Sequence, residues 1–187
     1  MIWKGDLIAA YETDRHQYYL FDGSEHCGTA FAEWVRGEHA DFDVWFMEGA
    51  FRVHVDLKAV TMPAVAWRVG EQVSVVGFTR TQQNSFNANG VITTASGRTL
   101  ALAPTGTNFI TAFGGYEHAI QHEDGARFIT ISGSTRLHVG GNPGHMLIAP
   151  QEASDPELPA LVAMAFAIAN VEINRLYEMV APSVIRI

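Results

Sequence analysis

The stretch SDPELPALVAMAFAIANVEINRLYEM, Ser154 to Met179, constrains this chain more than any other, because its first half offers water almost nothing. From Leu158 to Ala169, twelve residues carry neither a charge nor a side-chain amide. A bilayer crossing takes roughly 20 apolar residues, so the run is too short to read as a transmembrane span. Ser154 and Glu157 match the S-x-x-E capping box, and Asp155 followed by Pro156 gives a second helix start at the same place. At about 100° per residue, Leu158, Leu161, Val162, Met164, Phe166 and Ile168 spread over an arc far wider than one face. The remaining strip holds Ala163, Ala167, Asn170 and Asn174. A helix apolar nearly all round is buried nearly all round, so the pattern predicts an enclosed helix over about 155–179.

What encloses it is written in residues 1–149. Period-two alternation and β-branched or aromatic residues mark fourteen short segments, among them DLIAAYE, AFRVHVDL, QVSVVGFTR, NFITAF, TRLHVG and HMLIA, readable as roughly a dozen strands. Turn dipeptides punctuate them at Asp22-Gly23, Asn89-Gly90, Ser96-Gly97, Asp124-Gly125 and Gly140-Gly141, where glycine supplies the positive φ of tight hairpins. The polar run Gln82 to Gly90 is the longest loop candidate. Eight strands close on their own side chains, whereas a helix roughly 10 to 12 Å across needs about eleven or twelve around it. The alanines at 160, 163, 165, 167 and 169 keep this helix slim. The expected fold is therefore mainly β: one domain over residues 1–187, a closed antiparallel barrel of about twelve strands around a C-terminal hydrophobic helix. A helix between two open sheets, or one covering a dimer interface, is the alternative. The tail APSVIRI fits either a last strand or a crossing to a neighbour.

At 187 residues the chain can bury a sizeable single core. A net charge of −8, with Lys4 and Lys58 the sole lysines and the arginines scattered, speaks against nucleic acid and against anionic lipid surfaces. Peripheral membrane contact stays open. The lone Cys27 makes no internal disulfide, and the start MIWKGDLIAAYETD lacks an apolar leader core, so a cytoplasmic location is expected.

A dozen short antiparallel strands ending in PELPALVAMAFAIANVEI, with strand-turn-strand units such as YYLFDGSEHCGTAFAEW and EDGARFITISG, resemble the tubby C-terminal-like superfamily, which includes the LURP-one-related and phospholipid scramblase proteins. The resemblance covers nearly the whole chain and lies in the order of elements. It implies a barrel closed round a hydrophobic helix and a scaffold or lipid-linked role. The basic surface through which tubby proteins hold phosphoinositides, and the scramblases' cysteine-rich segment and calcium site, have no counterpart here, so those activities are not implied.

The histidines carry the first candidate chemistry. His118 and His122, beside Glu123 and Asp124, have a zinc-like i, i+4 spacing on a helix. Between Gly114-Gly115 and Asp124-Gly125 the segment reads as a strand, which puts the two about 13 Å apart on a solvated face. His54 and Asp56 lie i, i+2 on one strand face, about 6.6 Å apart, and are the better candidates to share a metal. His39, Asp41 and Asp43 form a second such group. No third ligand is identifiable, the cupin H-x-H pattern is absent, and the groups read first as exposed polar positions. Cys27 follows His26, but adjacent strand residues face opposite ways, so a turn or buried thiol is expected. Ser24, Ser132 and Ser134 lack the G-x-S-x-G elbow, and VGGNPGH, Val139 to His145, reads as a loop and not a phosphate cradle. Trp3, Trp34, Trp45 and Trp67 read as core or wall residues that also suit an apolar ligand cavity. No residue is assigned as catalytic, cofactor-binding or metal-ligating.

Two functional classes follow. The first is a non-enzymatic interaction or scaffold protein whose barrel is plugged by its own helix and whose surface meets a protein partner. The second is a lipocalin-like carrier of a small apolar ligand, with the helix outside a hollow barrel, although the lipocalin G-x-W start is missing because Trp3 precedes Gly5. An enzyme using Asp41, Asp43 or Asp56 ranks third.

Overall fold

The computed structural model describes residues 3–12, 17–71, 73–81, 89–105, 115–134 and 142–184. Twelve strands run β1 (Asp6–Glu12), β2 (Gln17–Asp22), β3 (Glu25–Val35), β4 (His39–Phe46), β5 (Gly49–Asp56) and β6 (Ala64–Arg68), then β7 (Ser74–Arg80), β8 (Gly90–Thr94), β9 (Thr99–Pro104), β10 (Gly115–Gln121), β11 (Arg127–Ser134) and β12 (Asn142–Ile148). One helix follows, α1 (Leu158–Val184). Each strand pairs antiparallel with its neighbours in sequence, and β1 returns onto β12 with Leu7 opposite Met146, so the sheet is a closed barrel. Closure leaves none of these strands with an unpaired edge. Of the fourteen segments read from the sequence, NFITAF and TRLHVG lie outside the described residues, and the other twelve are the twelve strands.

Alternation decides what the barrel holds. In β4, Phe42, Val44 and Phe46 point inward, and in β5 so do Phe51, Val53 and Val55. Inside stands α1, with Leu158 to Ile173 buried along its whole circumference. Phe166 meets Tyr18 of β2 edge-on at 5.0 Å between ring centroids and Phe42 of β4 at 6.1 Å. The helix also packs against β5, β6, β7, β10, β11 and β12, on every side of the wall. The five alanines of its slim stretch are all buried. The space that a hollow carrier would offer is filled by the chain itself.

Local readings need correction in four places. Regular helix begins at Leu158, and of the two expected starts the Ser154–Glu157 capping box does not form while the Asp155 cap does: the Glu157 N–H donates to Asp155 Oδ1 at 2.7 Å, and the Glu157 carboxylate turns away to Ser96 and Arg98. Its backbone continues past Met179 to Val184, so the start of APSVIRI is helical and not a strand; the apolar arc marks where burial is needed, not where helical backbone stops. Gly23, Gly97 and Gly125 have the positive φ expected of them, but Gly90 opens β8, where a Cβ would collide with the Phe78 ring; close approach and not φ demands glycine there. Residues Asn142 to His145 of VGGNPGH form the first half of β12 instead of a loop, since pairing with β1 and β11 absorbs them, while residues 139–141 lie outside the described residues, as do residues 82–88.

Candidate functional site

The two ends of the barrel differ. Strands β1, β3, β5, β7, β9 and β11 all run toward the rim where α1 emerges, which is the mouth. The even-numbered strands run toward the opposite rim, and there, after β12, the chain enters the helix.

At the mouth a cavity of about 650 Å³ opens between the β3–β4 turn, the β5–β6 connection and the exposed flank of the helix. Arg36, Lys58, Arg80 and Arg175 line it, a third of the chain's twelve lysines and arginines, and among the described residues no aspartate or glutamate does. Trp34, Leu57, Val60, Met62 and Val171 supply its apolar surface. Met62 has φ +43°, the sole positive value outside glycine among the described residues, and its N–H closes a turn onto the Ala59 carbonyl at 2.9 Å. That turn carries Met62 inward, buried, with its sulfur 4.0 Å from Arg175 Nη1.

Behind the cavity lies a buried charged cluster. Arg80 ends the inward set Val76, Phe78, Arg80 of β7, and its Nη2 stands 3.4 Å from Glu172 Oε1, with both side chains 3% exposed. Arg175 approaches the same oxygen at 3.5 Å from one turn further along the helix. Burial pushes the Glu172 carboxyl above its usual range, against the pull of Arg80 and Arg175. His118 of β10 is also buried, and burial first, then the charge of Arg80, lowers it to about 4, so its imidazole is neutral at pH 7. Asn170 donates from Nδ2 to the Phe166 carbonyl at 2.9 Å inside the helix.

The sequence-selected groups fall elsewhere. His118 and His122 do not share a solvated face: His118 points into the barrel with Ile120, and His122 follows β10 and pairs with Glu152 at 3.0 Å. The reason is parity, since His118 sits opposite Ile131, an inward residue of β11. His54 does not pair with Asp56. Its Nδ1 bonds Asp41 Oδ1 across the β4–β5 ladder at 2.7 Å, and His39 Nε2 lies 3.5 Å from the other Asp41 oxygen. Asp56 instead accepts the N–H groups of Lys58 and Ala59, and Asp43 holds Arg52 in a two-pronged pair at 2.6 Å. Among the described residues no group of three or more His, Cys, Asp and Glu is arranged to hold a metal. Cys27 is a buried thiol donating to the Leu20 carbonyl at 3.3 Å, pushed up to about 12 by burial and then by Asp22. Ser132 donates to the His145 carbonyl at 3.5 Å, and Ser24 lies in the β2–β3 turn. Of the tryptophans, Trp3 packs on Phe46 in the core, Trp45 is a half-exposed wall residue, and Trp34 alone lines the mouth cavity.

Sequence reasoning missed the mouth. The signals were an arginine at inward parity in β7 and a glutamate within the enclosed part of the helix, each a charge where the fold wants an apolar residue. No family model, curated protein or solved structure matches this chain. Fold and site thus define a closed barrel with a resident helix and a cationic mouth.

Proposed function

We propose that this chain is a non-enzymatic interaction protein, a tubby-like barrel of the LURP-one-related or scramblase-like kind, with a scaffold or lipid-linked role and its binding surface at the mouth. The observation that carries the reading is the gathering of four cations on one cavity of a chain whose net charge is −8. An acidic protein that sets a third of its lysines and arginines on one partly apolar recess focuses its field there, and the barrel interior is occupied by its own helix. The test is native mass spectrometry of gently purified protein against the Arg36→Glu/Lys58→Glu variant. A partner or ligand mass carried by the wild type and lost from the variant supports the mouth. The same mass retained by the variant and lost from Trp45→Ser, on the outer wall, would overturn it.

A further inference from the structure

Resting on that reading of the mouth, we infer that the cavity is a binding site for a free amphiphilic anion, a carboxylate or phosphate monoester joined to a single apolar chain. Arg80 and Arg175 both reach Glu172, a carboxylate behind the cavity and not among its described lining residues, while both guanidinium side chains stand on that lining. Lys58 meets Glu38 at 3.3 Å on the surface, where both side chains are more than half exposed and such pairs hold weakly. Arg36 has no carboxylate within ion-pair distance among the described residues. Two exposed cations at the rim and two anchored ones at the floor converge on one recess, with guanidinium geometry suited to a two-pronged grip on a carboxylate or phosphate.

The apolar part of the lining points independently to an amphiphile. Val60 is 61% exposed and Trp34 39% exposed at the cavity rim, while Met62 lies buried at its base, held there by its left-handed backbone. Exposed valine and tryptophan bordering a recess with a cationic floor leave apolar area that a chain would cover. A volume of about 650 Å³ lies within the roughly 300 to 1,000 Å³ of small-molecule sites. An inorganic anion would leave the apolar surface wet, and a neutral hydrocarbon would make no use of the cations on the lining.

The test uses the full chain and four probes in isothermal titration calorimetry: decanoate, decyl phosphate, decanol and inorganic phosphate. Decanoate or decyl phosphate is expected to bind at least about tenfold more tightly than decanol or phosphate, the equivalent of about 1.4 kcal/mol. Arg36→Gln/Lys58→Gln, both on exposed positions, should weaken the anions about tenfold with circular dichroism unchanged, and Val60→Ser should weaken the decyl compounds alone. Decanol binding as tightly as decanoate, or anion binding unaffected by the double variant, overturns the inference. So does cosedimentation with phosphatidylcholine–phosphatidylserine vesicles without binding of any soluble probe, which would make a membrane lipid the ligand. If no probe binds while the native-mass result stands, the ligand class falls and the mouth as an interface survives.

Discussion

The two ends of this barrel are both held by arginines against acidic residues of the helical segment, yet they are built on opposite terms. At the entry rim Arg98 reaches Asp155 and Glu157, each at 2.7 Å, and lies over the Phe128 ring at 5.1 Å, with its side chain 26% exposed. Burial alone would raise Asp155; the hydrogen bond and charge of Arg98, with the Glu157 N–H, hold it below the usual carboxylate range. Water, a second acid and a ring face all help, although the buried Arg98 Nε makes no hydrogen bond. At the mouth Arg80 and Glu172 meet at 3.4 Å with almost no water. A buried pair costs much of its attraction in desolvation and is poor at adding net stability. The entry rim is built to hold the helix, and the mouth keeps charge where the fold would be simpler without it.

The largest test of this contrast removes the helix. Deleting residues 154–187 strips the barrel of its plug and leaves the inward side chains of twelve strands facing a void. The deletion is expected to abolish the folded state, read as loss of strand circular dichroism and collapse of amide dispersion in NMR. A dispersed β spectrum from the truncated chain would mean that the wall stands alone and the helix is a late addition.

Next in size is the comparison of the two arginines. Arg80→Met leaves Glu172 buried with only the half-exposed Arg175 as partner, and should cost about 3 to 5 kcal/mol in urea unfolding. Arg98→Met leaves Asp155 and Glu157 partly in water and should cost about 1 to 2 kcal/mol. The double variant Arg80→Met/Glu172→Leu should recover most of the first loss, because an apolar pair fits the enclosed site. If Arg98→Met costs more than Arg80→Met, the assignment of roles to the two ends is reversed.

Much of this architecture was legible in the residues. The helix announced its burial because an apolar surface that wide has no stable place but an interior, and helix diameter then set the strand number. The corrections at the histidines share one cause. Parity along a strand can be read, but which parity faces inward depends on pairing with distant strands: His118 looked exposed by its polarity and is inside because Ile131 is its partner. His54 looked paired with Asp56 along the strand and is paired with Asp41 across it. Of the mouth, only the misplaced charges Arg80 and Glu172 were legible, since Arg36, Lys58, Arg80 and Arg175 are brought together only by closure of the barrel around the helix.

His118 offers the finest probe of the mouth. Its imidazole titrates at about 4 in the folded protein against the ordinary 6.5, first because burial disfavours the charged form and then because Arg80 repels it. Between those two values the unfolded chain takes up the proton and the folded one resists it, so stability contributed by this group is present above pH 6.5 and lost as pH falls toward 4. At pH 5 the loss should be about 2 kcal/mol. Glu172, whose carboxyl is raised, works in the opposite sense, with stability lost as pH rises through its folded value. Both effects overlap in the wild type, so the informative quantity is the difference from His118→Gln, in which the Glu172 contribution is common and cancels to first order. That difference, measured by urea unfolding from pH 7 to pH 4.5, should narrow steadily on acidification as the wild type loses its advantage. A constant difference would place His118 in contact with water, and with it the floor of the mouth, making the two ends of the barrel alike in the one property that separates them.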